Sequence, residues 1–142
     1  MEFITSNGQK KVVINTATFK EMCDLKKEAM KCIQQAADSD VLNNFKDVST
    51  VTALDAIIKA LIAADTSADF EKALFVCLGH CFYDEFYTIN EQFFEDHKEA
   101  IDDYYEIVAK CIEENLRPFF KSLVTAFNTH LQKLGLQNQE QQ

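Results

Sequence analysis

The chain has 142 residues, 14 basic and 23 acidic side chains, and a formal net charge of −9. That size suits a single domain that buries about 70% of its unfolded surface and folds without disulfides or metal. The charge makes nucleic acid and anionic membranes poor partners, and three Gly with one Pro argue against a turn-rich β-sandwich and for long helices.

The acidity is uneven. Residues 1–68 hold nine acids and eight bases, net −1; residues 69–114 hold thirteen acids and three bases, net −10; residues 115–142 hold one acid and three bases, net +2. The acidic middle reads either as a solvated face that keeps the protein in solution or as a surface for a basic partner. Twelve Phe and no Trp give a soft aromatic core with Phe to spare. Met1-Glu2 lacks the basic start and apolar run of a signal peptide, and no apolar run reaches the roughly 18 residues of a membrane helix. Five Cys without a secretory context read as reduced thiols in a cytoplasmic protein.

In chain order, Asn7-Gly8 between two β-prone runs marks a hairpin over residues 3–14, its second strand at Lys11–Ile14. A lone hairpin is marginal in water, so it must pack on a helix or pair with another chain, and a free edge would suit self-association. Thr18-Phe19-Lys20-Glu21 is a capping box. It opens a helix to about Ala37 with Phe19, Met22, Leu25, Ala29, Ile33 and Ala36 on the inner face. Asp38–Asp47 is a polar connector. Thr52 or Thr50 caps a short, deeply buried helix over Ala53–Ala64. After caps at Thr66, Ser67 and Asp69, the residues Phe70, Ala73, Leu74, Cys77, Leu78 and Cys81 mark a further helix to about Tyr83.

Asp84–Asn90 carries mixed signals, with Phe86, Tyr87 and Ile89 in a short strand or an aromatic loop. Asn90 caps Glu91–Glu95, and a long acidic helix starts near His97. Its strongest part is Ile101–Leu134, with apolar residues at steps of three and four from Ile101, Tyr104 and Tyr105 through Leu134. Asp102, Asp103, Glu106, Lys110, Glu113 and Glu114 face away from that stripe. Pro118 cannot donate to the carbonyl of Glu114. The stretch is therefore two helices meeting near Asn115–Arg117 or one kinked helix, and the unbroken phase of the stripe favours the kink. Gly135 is a C-terminal cap, and Leu136–Gln142 is a disordered polar tail.

Little here suggests catalysis. Cys77, His80 and Cys81 fall on one helical face and have zinc-binding chemistry, yet no second Cys/His pair completes a site. Cys77 and Cys81 also sit on the apolar stripe, where a free Cys packs as a small hydrophobe. A thiol nucleophile would need a base from His80, His97 or His130 and a turn presenting backbone amides, and no Gly-rich turn exists. Phe82, Tyr83, Phe86, Tyr87, Phe93 and Phe94 place six aromatics in thirteen residues. They form either a plug between helices or a groove for an apolar helix.

Two stretches carry a family resemblance. One is Ile14-Asn15-Thr16-Ala17-Thr18-Phe19 with Leu25-Lys26-Lys27. The other is Phe94-Glu95-Asp96, Asp103-Tyr104-Tyr105 and Asn115-Leu116-Arg117-Pro118-Phe119-Phe120-Lys121-Ser122-Leu123. Together they resemble the tail assembly chaperones of long-tailed bacteriophages over roughly residues 12–127. The resemblance implies a non-enzymatic protein of the host cytoplasm, without cofactors, that coats the helical tape-measure protein and is absent from the finished virion. It also implies a longer form, made by translational frameshift and attached at the polar tail, that recruits tail tube protein.

These readings combine into a mainly α domain, residues 1–135, of about five helices with a short N-terminal β-hairpin, followed by the tail 136–142. The chain is expected to form homo-oligomers and to bind its partner through Phe82, Phe86, Tyr87, Phe93, Phe94, Phe119, Phe120 and Phe127, with no catalytic, cofactor or metal residue. The alternatives are a helical adaptor or regulatory protein with another target, and a small metal-binding domain built on Cys77, His80 and Cys81.

Overall fold

A computed structural model describes residues 1–35, 58, 61, 67–126, 128 and 129. In chain order these form β1 (Glu2–Ile4), β2 (Lys11–Val13), α1 (Phe19–Gln35), α2 (Ala68–Leu78), β3 (Phe82–Tyr83), β4 (Tyr87–Thr88), α3 (Glu91–Asp96), a 3-10 helix over Lys98–Asp103, α4 (Tyr104–Leu116) and a 3-10 turn over Arg117–Phe119. Helix resumes over 120–126. The protein is mainly α with a short hairpin at its start, as the composition implies. The connector 38–47, most of the helix 53–64, Ala36, Phe127, His130 and the tail lie outside the described residues.

α1 packs along α2, and both pack on α4. Their contact layer holds Met22, Leu25, Ala29 and Ile33 of α1, Phe70, Leu74, Cys77 and Leu78 of α2, and Ile107, Val108, Cys111, Ile112 and Leu116 of α4, all buried. Ile58 and Leu61 are buried as well. The capping box forms as read: Thr18 N–H donates to Glu21 Oε1 (3.0 Å) and Glu21 N–H to Thr18 Oγ1 (3.3 Å). Ser67 Oγ caps α2 by accepting from Phe70 N–H (3.2 Å), and Asn90 Oδ1 caps α3 by accepting from Phe93 N–H (2.7 Å).

The N-terminal hairpin does not stand alone. Residues 82–88 fold into a second hairpin, and the two join in an antiparallel sheet of order β1-β2-β3-β4. Phe3, Val12, Tyr83 and Tyr87 lie in one cross-strand row, while Glu2, Val13, Phe82 and Thr88 share the row on the other face. The first row contains buried Val12 and Tyr83, so it faces the helices.

This pairing corrects the helix expected to run to Tyr83. α2 ends at Leu78, with Gly79 at its C-cap, and Cys81 is buried in the link to β3. Asn7-Gly8 sits in the hairpin turn as read, within Ser6–Gly8, closed by Gln9 N–H donating to the Thr5 carbonyl (3.1 Å). Gln9 takes the left-handed conformation (φ 52°), and among the described residues no glycine does. The glycine is required for close approach instead, because a Cβ on Gly8 would lie 2.5 Å from Asp103 Oδ2.

Pro118 resolves as a kink: the backbone stays right-handed helical from Leu116 to Phe120 through one 3-10 turn. The acidic stretch from His97 begins as a 3-10 helix and not as α-helix. His97 (φ −129°, ψ 72°) breaks the run from α3, and its ring stacks on Phe93 at 4.8 Å between centroids.

Candidate functional site

The two stretches that carry the family resemblance are about a hundred residues apart, and they meet. Asn115, fully buried in the last turn of α4, accepts from Ala17 N–H through Oδ1 (2.9 Å). Its Nδ2 donates to the Cys111 carbonyl (2.8 Å), which holds the amide in that orientation. The contact ties the segment 14–19 to the segment 115–123, just before α1 begins and just before the proline kink. Phe19 and Phe119 then face each other with ring centroids 6.5 Å apart. Lys26 Nζ stands 5.0 Å over the Phe119 ring, a cation–π distance.

Phe19 is a correction. Its period places it on the inner face of α1, yet it is 74% exposed. It is the first residue of the helix and lies at the edge of the packed layer, with the half-buried Phe119 opposite. Phe120 is also half-buried.

The aromatic stretch 82–94 divides. Phe93 is buried at its centre, with Tyr83 and Phe94 at 5.1 Å and Tyr87 at 6.1 Å. Phe94 is half-buried against Tyr104 (5.2 Å, edge-on). Phe82 is half-buried on the outer face of the sheet. Phe86 and Tyr87 are the surface members, 82% and 44% exposed. Phe86 follows two left-handed residues, Asp84 (φ 53°) and Glu85 (φ 69°), which turn the hairpin and set the ring at its tip. The stretch is thus a plug and a surface at once.

A second polar knot fixes the sheet to the start of α4. Asp103 lies on the side of the pattern that reads as solvent-facing, yet it is fully buried. It accepts from Gly8 N–H (3.0 Å) and from the Tyr83 hydroxyl (2.9 Å). Burial and the neighbouring Asp103 push the Tyr83 hydroxyl well above its ordinary pKa. Around it, Ser6 N–H donates to Glu106 Oε2 (3.0 Å) and Asn7 Nδ2 to the Asp102 carbonyl (2.8 Å). At the same end, Ile101 and Tyr105 depart from the expected inner stripe and are 52% and 65% exposed.

The Cys/His cluster does not assemble as a site. His80 Nε2 pairs with Glu21 Oε1 at 2.8 Å, while the Cys77 and Cys81 thiols point to backbone carbonyls. Burial pushes the Cys77 thiol up to about 12, and a hydrogen bond with Cys81 together with burial raises Cys111. Cys77 and Cys111 are thus thiols kept protonated, unlike the thiolates that bind metal or attack carbonyls, while the hydrogen bond from Cys111 shifts the Cys81 thiol downward. Among the described residues no group of three His, Cys or carboxylate side chains is placed to hold a metal ion. Among them, too, no helix is long and apolar enough to cross a membrane.

The arrangement leaves apolar side chains exposed at separate places on the packed framework, Phe86 and Tyr87 on one hairpin, Ile101 and Tyr105 near the start of α4, and Phe19 beside Phe119. The 14–19 and 115–123 segments were the sequence signal for one such place. The exposure of Phe19 and the burial of Asp103 and Asn115 had none, because each depends on which distant residue lies opposite.

No curated protein and no solved structure matches the chain. The model of the family described as phage tail assembly chaperone protein, TAC, matches residues 8–128, a span that takes in both converging segments and the whole aromatic stretch, and the chain belongs to that family.

Proposed function

We propose that this tail assembly chaperone binds apolar helical segments of the phage tape-measure protein and keeps them in solution while the tail is built. The observation that carries the reading is Phe86, an 82% exposed aromatic at the tip of a hairpin. Tyr87 follows it on the same hairpin and packs on the buried Phe93, while Phe82 is half-buried on the opposite face of the sheet. The paired strands on either side set the backbone that carries the ring, so less of its conformational freedom remains to be lost on binding. Burying one phenyl ring is worth roughly 2–3 kcal/mol. A net charge of −9 repels other complexes and keeps a coated rod dispersed.

In this reading the protein is non-catalytic, acts in the host cytoplasm and leaves before the virion is complete. A frameshifted longer form brings tail tube protein to the coated rod.

The test is co-expression with the tape-measure protein of the same genome, followed by pull-down. The wild-type chain keeps the tape measure soluble and co-elutes with it. Phe86→Ser with Tyr87→Ser stays folded, with a somewhat lower melting temperature because the Tyr87 ring packs on Phe93 and His97, and reduces capture by about tenfold or more. A tape measure that stays insoluble with the wild-type chain overturns the function. Capture unchanged in the double variant overturns the surface.

A further inference from the structure

The core-facing stripe of α1 has an outer margin that the described structure covers only in part. Phe19, Cys23, Lys26 and Met30 follow at steps of four, three and four, which puts them on one line along the helix. Phe19 is 74% exposed, and the other three are half-buried. The line runs beside the buried Met22, Leu25, Ala29 and Ile33. Phe119 stands across from it: its ring centroid lies 6.5 Å from that of Phe19 and 5.0 Å from Lys26 Nζ. At about 1.5 Å of rise per residue the strip is roughly 16 Å long, about three turns of helix.

Its charged neighbours are basic. Lys20 and Lys121 are exposed beside Phe19 and two positions past Phe119, and Lys26 covers the Phe119 ring. None of these three lysines makes an ion pair among the described residues. The acids close to them in sequence are already engaged. Glu21 accepts from Thr18 N–H and pairs with His80 (2.8 Å), while Glu113 (3.2 Å) and Glu114 (3.1 Å) hold Arg117.

An apolar strip of this length with ammonium groups around it suits a helix whose apolar face is bordered by carboxylates. We propose that the strip docks an acidic amphipathic helix of a partner protein. The partner's apolar residues cover Phe19, Cys23, Met30 and the open side of Phe119, and its Asp and Glu side chains reach Lys20, Lys26 and Lys121. The sign is opposite to that of the whole chain. At net −9 the protein repels an acidic helix at long range and attracts a basic one. Selection of an acidic partner is therefore local to this strip, and non-specific attraction cannot imitate it. The strip belongs to α1 and the proline kink, so the assignment stands whether or not the Phe86 hairpin captures the tape measure.

The experiment measures binding of three labelled peptides to the purified chain by fluorescence anisotropy. Each is about 20 residues, long enough to hold a helix. One carries a Leu stripe flanked by Glu, the second the same stripe flanked by Lys, and the third the Glu composition with the stripe scrambled. The wild type binds the Glu-flanked helix about tenfold or more tightly than either of the others, and less tightly as salt rises. The bound peptide also slows modification of Cys23 by a thiol reagent, because that free thiol lies in the strip. Lys20→Glu with Lys121→Glu abolishes the preference for the Glu-flanked helix, and Phe19→Ser lowers its affinity about tenfold. All three positions are exposed, and thermal melting checks that the variants fold.

Tighter binding of the Lys-flanked helix overturns the proposal, as does a preference that survives the lysine changes. A Cys23 equally reactive with and without peptide overturns it too. So does a Cys23 that becomes shielded as protein concentration rises and that the peptide fails to displace into solution; a second copy would then occupy the strip.

Discussion

Replacing Asn115 by Leu tests the joint on which the Phe19–Phe119 surface depends. The two side chains are close in size, so no large cavity opens. What is lost is the acceptor for Ala17 N–H, at 2.9 Å in a fully buried setting. A buried donor left without a partner costs about 1–3 kcal/mol. The Cys111 carbonyl loses its bond from Asn115 Nδ2 (2.8 Å) but lies inside α4, where the backbone N–H four residues on still serves it, so that loss adds little. The expected destabilisation is about 2 kcal/mol, which lowers the melting temperature of a chain this long by roughly 8 °C. Urea unfolding should show a lower midpoint with an unchanged slope, and amide exchange at Ala17 should accelerate more than the global loss explains. Asn115→Asp separates the causes: it keeps the acceptor for Ala17 but turns an oxygen on the Cys111 carbonyl. It is destabilised too, while Ala17 stays protected relative to the rest of the chain. Asn15→Ala, which removes only an exposed bond to the His80 carbonyl, should change stability by less than about 0.5 kcal/mol. If Asn115→Leu is equally mild, or Ala17 exchange is unaffected, the two segments are held together by something else.

Tyr83→Phe leaves Asp103 with Gly8 N–H as its remaining named donor and should cost about 1–2 kcal/mol by urea unfolding; an unchanged midpoint would mean water takes the hydroxyl's place. Gly8→Ala drives a Cβ to 2.5 Å from Asp103 Oδ2 and should cost about 1–3 kcal/mol, with hairpin amides exchanging faster. Hydrogen bonds from the Thr18 backbone and side chain, and then from His80, lower the Glu21 pKa. A carboxyl lowered on folding adds stability that is present above its unfolded pKa and disappears as pH falls through the folded one. Glu21→Gln should therefore melt below wild type at neutral pH, and the gap should close as pH drops below about 4; a gap that persists at low pH contradicts the assignment. All four thiols of Cys32, Cys77, Cys81 and Cys111 are buried and Cys23 is half-exposed. A thiol reagent should thus modify one cysteine quickly and the others only on unfolding, and two or more fast thiols would contradict the packing.

Local signals in the sequence were reliable where the structure obeys local rules. The capping box at Thr18 and Glu21, the caps at Ser67 and Asn90, and the kink at Pro118 all form as their chemistry demands. Each depends on residues within a few positions of one another. The errors share the opposite origin. Helical period runs on through Gly79 to Tyr83, but Phe82 and Tyr83 pair with Val13 and Val12, nearly seventy residues earlier. The same period counts Phe19 as core and Asp103 as surface, and both are reversed by what lies across from them. Phe93 and Phe86 are seven positions apart in one aromatic run, and no composition rule tells the plug from the tip.

The long-range polar contacts turn that periodic pattern into a usable surface. Helix α1 could bury its stripe against α2 and α4 with some freedom to slide, since apolar contact alone is tolerant of register. Asn115 and Asp103 remove that freedom at both ends of α4. The first holds the strand-to-helix entry at Ala17, and the second holds the hairpin at Gly8 and β3 at Tyr83. A buried polar group left unpaired is expensive, so each contact disfavours any packing that breaks it. The exposed aromatics are placed by the same contacts: Phe19 two residues beyond Ala17, Phe86 three beyond Tyr83, Tyr105 two beyond Asp103. A protein that holds up apolar side chains for a partner must keep them from folding inward, and here each is anchored next to a polar contact that cannot shift cheaply. Loosening Asn115 should therefore speed amide exchange around Ala17 and Phe19 while the hairpin that carries Phe86 stays protected, and loosening Asp103 should speed exchange in that hairpin while the Phe19 end stays protected.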